Sequence, residues 1–314
     1  MQRVTTLGLL LAAFIWTYFC LSEGHALWAM VGALTIVFGY AIVLGVEFAL
    51  MGFVHKGQST PRPSGRSVLK AWLCEAVNSP QVFCWRQPFR TNAEPDYLPQ
   101  GATGQRGVLL VPGFVCNRAF WAPWMKRLRA AGIPFLAVDL EPMFGSIDSY
   151  SGALGRALRR LEAATGVPPL VVAHSMGGLA VRSWMRITDA DKRVHKVITI
   201  GSPHNGTWLG RFGRTTNTRQ MALGSPWLDE LDRQESATRR ALFICFYSDC
   251  DNVVFPPSSA MLEGADNRHL AGLSHVHMAF HEQIITEALR WLETPPQRKG
   301  SVREADMPPS RGTS

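Results

Sequence analysis

One serine in this chain sits where a serine can be made reactive. It ends the apolar run Val171-Val172-Ala173-His174-Ser175 and is followed by Met176-Gly177-Gly178, a pattern that reads as a buried strand turning sharply into a helix with Ser175 at the apex. A hydroxyl is a weak nucleophile at neutral pH, so such a serine needs a base within hydrogen-bond reach and a carboxylate to orient that base. Downstream, Asp249 and Asp251 offer the carboxylate, while His275, His277 and His281 offer the base. A continuing strand would put His275 and His277 on one side, so period alone leaves both open. The order serine, acid, histidine fits acyl transfer through a covalent serine intermediate. Other candidates read more simply. His174 is structural or pocket-lining, and His204 holds a loop. Asp139, Glu141 and Asp148 are solvated or capping residues, and Cys116 is a small packed residue rather than a reactive thiol.

The elements that must position these groups are short apolar strands alternating with amphipathic helices. Strands are expected at Gly107 to Phe114, Pro134 to Leu140, Leu170 to Ala173, Val194 to Ile200 and Ala241 to Tyr247, with a weaker sixth at Arg268 to Leu273. Helices are expected from Asn117 to Ala131, from Asp148 (as N-cap) to Thr165, from Met176 to about Ile187, and from Ala279 to Leu292. This alternation implies an α/β fold, a mostly parallel sheet with helices on both faces. In such sheets sites form at the carboxyl ends of strands, and Ser175, Asp251 and His275 each follow a strand end. Between Asn205 and Arg240 the strand character lapses, and Trp208, Phe212, Trp227, Leu228 and Leu231 suggest either a small cap over the site or helices packed on the sheet edge.

Taken together, these motifs resemble the bacterial triacylglycerol lipases and esterases of the α/β-hydrolase superfamily, over about Gly107 to Leu292. The family's oxyanion-loop motif is similar to Val111-Pro112-Gly113-Phe114, with Pro112 where the family has histidine. Its nucleophile motif is similar to Ala173-His174-Ser175-Met176-Gly177-Gly178-Leu179, with Ala173 in place of the usual glycine. Gly201-Ser202-Pro203-His204-Asn205-Gly206-Thr207 matches a further family loop. Ser248-Asp249-Cys250-Asp251-Asn252-Val253-Val254-Phe255-Pro256 resembles the acid motif, and Gly272-Leu273-Ser274-His275 the histidine motif. The register of these motifs selects Asp251 over Asp249 and His275 over His277. The resemblance implies Ser175 as nucleophile, His275 as base, Asp251 as acid, and the backbone N–H groups of Phe114 and Met176 as oxyanion donors, with no cofactor and no metal.

The ends of the chain lie outside the resemblance. From Val4 to Ser22 and from Ala26 to Val46 there is no charge, and each run reaches the ~20 residues of a spanning helix. Joined by Ser22-Glu23-Gly24-His25, they read as a two-helix transmembrane hairpin over residues 1–56. Arg3 on one side and Lys56, Arg62, Arg66 and Lys70 on the other place both ends, and the domain, in the cytoplasm of a bacterium, on the inner membrane. A cleaved signal ending near Gly24 and Ala26 is the alternative reading. Glu47 reads as an end-of-helix carboxylate reaching headgroup water, with a functional membrane carboxylate as the other reading. Residues 57–104 form a Pro/Gly/Ser linker and an amphipathic segment, Val68 to Val77, that lies on the membrane surface or packs on the domain. Residues 105–293 form the catalytic domain, and residues 294–314 a disordered tail.

The net charge of +8 is carried by scattered pairs such as Arg159-Arg160, which reads as solvated helix faces and not as a nucleic-acid surface. The six cysteines contain no C-x-x-C pair, so neither a zinc site nor a disulfide framework is indicated. The expectation is a membrane-anchored serine hydrolase of hydrophobic or lipid esters. The alternatives are a thioesterase or acyltransferase with the same triad, or a non-catalytic scaffold.

Overall fold

In a computed structural model, residues 1–55 and 62–293 are described. Most of the expected linker and the expected tail lie outside them. Six strands among the described residues form one sheet, in the order β2-β1-β3-β4-β5-β6. They are β1 (Val108–Val111), β2 (Phe135–Ala137), β3 (Leu170–His174), β4 (Lys196–Ile200), β5 (Phe243–Tyr247) and β6 (Asp266–His269). Every pairing is parallel. The period-two alternation of β1 divides the core: Leu109 and Val111 face the helices Ser151–Thr165 and Met176–Thr188. Val108 and Leu110 face the helices Ala122–Ala130 and Glu282–Glu293. Apolar residues on both faces are what a doubly covered parallel sheet requires.

The strand order reverses between β1 and β3, which lie side by side although β2 falls between them in sequence. That crevice, outside the strand ends, is where the candidate residues gather.

Three local expectations are corrected. The helix expected to start at Asp148 starts at Ser151, after a tight turn whose cap is Ser146, because the Ser146 hydroxyl accepts the Asp148 N–H. Asp148 is thereby freed to accept from Ser183, Arg186 and the Trp227 indole. The sixth strand lies at Asp266–His269, earlier than expected, because this edge strand is polar and carries no hydrophobic signal. The helix expected from Ala279 starts at Glu282, and a separate short helix, His275–Met278, precedes it where none was expected.

Ahead of the sheet come α1 (Gln2–Ser22), α2 (Ala26–Val54) and α3 (Gly65–Pro80). The first two form the expected antiparallel hairpin, and both are long and apolar enough to cross a membrane. α2 continues past the uncharged run, and its last turns dock on the domain. Phe48 and Met51 pack with Ala71 of α3 and with Cys250 and Phe255 of the loop after β5. Tyr40 donates to the Ala76 carbonyl at 2.7 Å, and Trp72 to the Ala41 carbonyl at 2.9 Å. α3 thus packs on the domain through Ala71 and Glu75, while Leu69, Leu73 and Val77 form an exposed stripe on its other side.

Candidate active site

Val111 at the end of β1 pairs with Ala173 near the end of β3, so the turn leaving β1 meets the turn leaving β3. Ser175 has φ 54° and ψ −130°, a left-handed conformation that a serine holds only under strain supplied by its surroundings. The strain comes from forcing a strand directly into a helix. A Cβ at Gly177 would lie 2.6 Å from the Pro112 carbonyl oxygen, so the helix can approach β1 this closely only with glycine there. Opposite, Val115 is also left-handed, at φ 52°, a rare state for a β-branched residue. Its carbonyl accepts from Gln2 Nε2 at 2.7 Å, so α1 holds the loop that carries Phe114.

The candidate acid and the candidate base come together. Asp251 Oδ2 lies 2.9 Å from His275 Nδ1, and both residues are buried. Asp251 Oδ1 accepts the N–H groups of Val253 (2.9 Å) and Val254 (2.8 Å), which fixes the carboxylate. Gly201, at φ +55°, passes so close that a Cβ there would lie 2.9 Å from Asp251 Oδ2 and 3.2 Å from His275 Nδ1. Asp249 instead accepts the Gly272 N–H at 2.7 Å and shapes the turn before His275. His277 is carried away from His275 because helix, not strand, follows Ser274. His174 is buried, stacks on Phe120, and places Nε2 3.2 Å from the His275 carbonyl oxygen. His204 Nε2 lies 2.9 Å from Thr199 Oγ1, bracing the loop after β4. Asp139 accepts the Arg118 N–H at 2.6 Å, a capping contact. Burial pushes the Cys116 thiol up to about 12, which leaves it protonated and unreactive at neutral pH.

Two further carboxylates complete the setting, Glu75, which the sequence did not mark, and Glu47, which it placed at the membrane surface. Glu75 of α3 is buried, and its oxygens accept the Val276 N–H at 3.0 and 3.2 Å and the His277 N–H at 3.2 Å. Glu47 is not a headgroup-facing residue. It turns inward and accepts from Asn252 Nδ2 at 2.7 Å, and Asn252 Oδ1 in turn accepts the His275 N–H at 3.2 Å. Burial alone would lower the His275 pKa, but the adjoining Asp251 carboxylate, with Glu75 and Glu47 behind it, raises it above the ordinary imidazole value. Burial, then the charge on His275, holds His174 well below that value and therefore neutral.

Ser175, His275 and Phe114 line a cleft of about 800 Å³ whose other wall is α1 and α2. Trp208 and Trp227 are not part of this lining. Trp208 stacks on Phe255 and Trp227 donates to Asp148, so the segment 205–240 packs on the domain, the second of its two expected arrangements, and the hairpin covers the cleft in place of a cap. Among the described residues no cluster of three or more His, Cys, Asp or Glu could hold a metal ion. With Nδ1–H donated to Asp251, His275 Nε2 is left as a proton acceptor on the cleft that Ser175 also lines.

A parallel sheet that presents a strained serine after its central strand, and an aspartate–histidine pair from its later loops, defines the α/β class of hydrolase architecture. Residues 108–302 match the model of the alpha/beta hydrolase family, and the chain belongs to that family. Among solved structures, lipase BlEst2 of Bacillus licheniformis in its mature form superposes with a TM-score of 0.55 at 16% identity, over 63% of this chain and 95% of that one. Aspergillus fumigatus lipase B superposes with a TM-score of 0.55 at 19% identity, over 65% of this chain and 57% of the longer lipase. At such identities the likeness is one of fold.

Proposed function

We propose that the protein is a membrane-anchored serine hydrolase of hydrophobic carboxylic esters, lipid esters among them, working through an acyl-enzyme. The observation that carries the reading is the 2.9 Å Asp251–His275 pair beside the strained Ser175, opening on an apolar cleft. In this reading His275 takes the Ser175 proton as the hydroxyl attacks the ester carbonyl, and Asp251 stabilises the imidazolium. The backbone N–H groups of Phe114 and Met176 receive the oxyanion. His275 then protonates the departing alcohol, and water resolves the acyl-enzyme by the reverse sequence. The lipase names of the structural neighbours support ester chemistry on lipids. The apolar hairpin supports anchoring, and the basic residues Arg3, Lys56, Arg62, Arg66 and Lys70 flanking it support a cytoplasmic domain on a bacterial inner membrane.

Fluorophosphonate labelling of the full-length protein in membranes tests the nucleophile. Ser175 is the expected adduct, and Ser175→Ala is expected to lose labelling and lower ester turnover on the order of 10⁶-fold without unfolding the domain. Turnover that survived the substitution would mean a different nucleophile.

A further inference from the structure

We propose that the transmembrane hairpin is itself the acyl-binding wall of this site, and that the acyl chain of a bilayer lipid ester reaches Ser175 sideways from the hydrocarbon of the adjoining leaflet. The proposal rests on the ester-hydrolase reading and adds the substrate's source and the residues that measure it.

The cleft is walled by Leu9 and Leu10 of α1 and by Val37, Gly39, Val43 and Leu44 of α2. These residues fall inside the two uncharged runs, at a depth where a spanning helix is surrounded by lipid tails. At the other end of the same cleft are Ser175 and His275. From Ile36 to Glu47 the α2 wall advances ~16 Å, the length of roughly a dozen extended carbons. A volume of about 800 Å³ suits a ligand of that size. An apolar wall at this depth has one abundant ligand, the acyl chain. A soluble ester would instead have to cross apolar helix faces to reach the serine.

The outer surface agrees with this placement. On α3, which packs against α2 through Trp72 and Ala76, Leu69, Leu73 and Val77 form an exposed stripe, with exposed Trp85 farther along the chain, as an interfacial helix and its aromatic anchor require. Arg66 and Lys70, exposed on the same helix, suit anionic headgroups. The mouth of the cleft is thereby set at the boundary where an ester linkage sits, with its acyl chain directed inward.

Gly39 gives a direct test. It lines the cleft, and a Cβ added there meets nothing within 4 Å, so a side chain at this position starts in open space. Full-length protein in phosphatidylcholine vesicles, carrying Gly39→Phe, is assayed on p-nitrophenyl palmitate and p-nitrophenyl butyrate, with fluorophosphonate labelling of Ser175 as the measure of intact site. The expected result is full labelling with the palmitate-to-butyrate ratio of kcat/KM lowered at least tenfold. Leu10→Trp narrows the cleft from the other helix and is expected to act alike, so the question does not depend on one variant folding. Phe212→Ala, in the segment expected to form a cap, is expected to leave the ratio unchanged. If labelling is intact and neither hairpin variant changes the ratio, or if Phe212→Ala changes it instead, the proposal is overturned while the hydrolase reading stands. Absence of labelling in the unaltered protein would overturn both.

Discussion

At the scale of single residues, the triad candidates were legible because each sits in a local motif whose backbone demands show in sequence. Ser175 is bracketed by a strand and a glycine pair, Asp251 precedes two N–H groups it accepts, and His275 follows the turn at Gly272. The partners of Glu75 and Glu47 were illegible because what they hold lies about two hundred residues later in the chain. A lone glutamate on a helix reads as a solvated face. Glu75 now makes a testable claim about pH. As the base in the proposed mechanism, His275 must be neutral, so turnover rises as pH passes upward through its pKa. Asp251 chiefly, then Glu75 and Glu47, favour the charged imidazole, which puts that rise above the ordinary imidazole value. Neutral His174 is the remaining titratable group against the ring. Glu75→Gln replaces a carboxyl group, whose own pKa burial raises, with an amide that can never be charged, and takes one acceptor oxygen from the Val276 and His277 N–H groups. The expected outcome is kcat lowered about tenfold, or about 1.4 kcal/mol in barrier, with the acidic limb of the kcat/KM profile moved to lower pH. A Glu75 that merely filled space would leave the limb in place.

At the scale of elements, the first five strands were legible by their short apolar runs, while ends were set by side chains that find distant partners. Asp148 failed as a helix cap because Ser183, Arg186 and Trp227 claim its oxygens. The segment 205–240 shows the same effect on a larger scale. Its aromatic residues suggested a cap, but charges decide where it lies. Arg182, fully buried on the helix that follows Ser175, binds Asp232 and the equally buried Glu235, and also donates to the His204 carbonyl at 3.0 Å. Those bonds fasten the segment to the helix behind the serine. Substituting Arg182→Ala leaves the Glu235 carboxylate buried with only Arg240 beside it, at 3.6 Å. Breaking such a buried pair costs ~3–5 kcal/mol. Thermal unfolding in detergent is expected to show Tm lowered by about 10 °C, and Arg182→Lys, which restores charge without the planar fork, is expected to recover only part of it. An unchanged Tm would mean that the segment is held by its apolar contacts alone.

At the scale of the whole molecule, the sequence divides into anchor, linker and enzyme, and the structure joins them. A hairpin that only tethered the domain would touch it through the linker. This one reaches the oxyanion-loop candidate through Gln2, the backbone at Pro88 through Arg3, the acid loop through Phe48 and Met51, and Asn252 through Glu47. Each hydrogen bond is worth about 0.5–1.5 kcal/mol, and the buried apolar side chains of α2 add about 1.5–3 kcal/mol apiece. Together these contacts exceed what thermal motion disperses, so covalent continuity between α2 and α3 is dispensable once the chain has folded. A protease site inserted between Lys56 and Arg62, and cut after purification in detergent, separates the two views. If the hairpin is a wall of the active site, the cut protein is expected to run as a single species in gel filtration, with the hairpin fragment retained and turnover of p-nitrophenyl butyrate within about twofold of the uncut protein, since the contacts that hold the hairpin on the domain survive the cut. A tether would instead release its fragment on cutting, and the freed domain would turn over the short ester as fast as before. Retention of the fragment together with activity, and loss of activity when harsher detergent strips the fragment away, would make the membrane segment part of the enzyme.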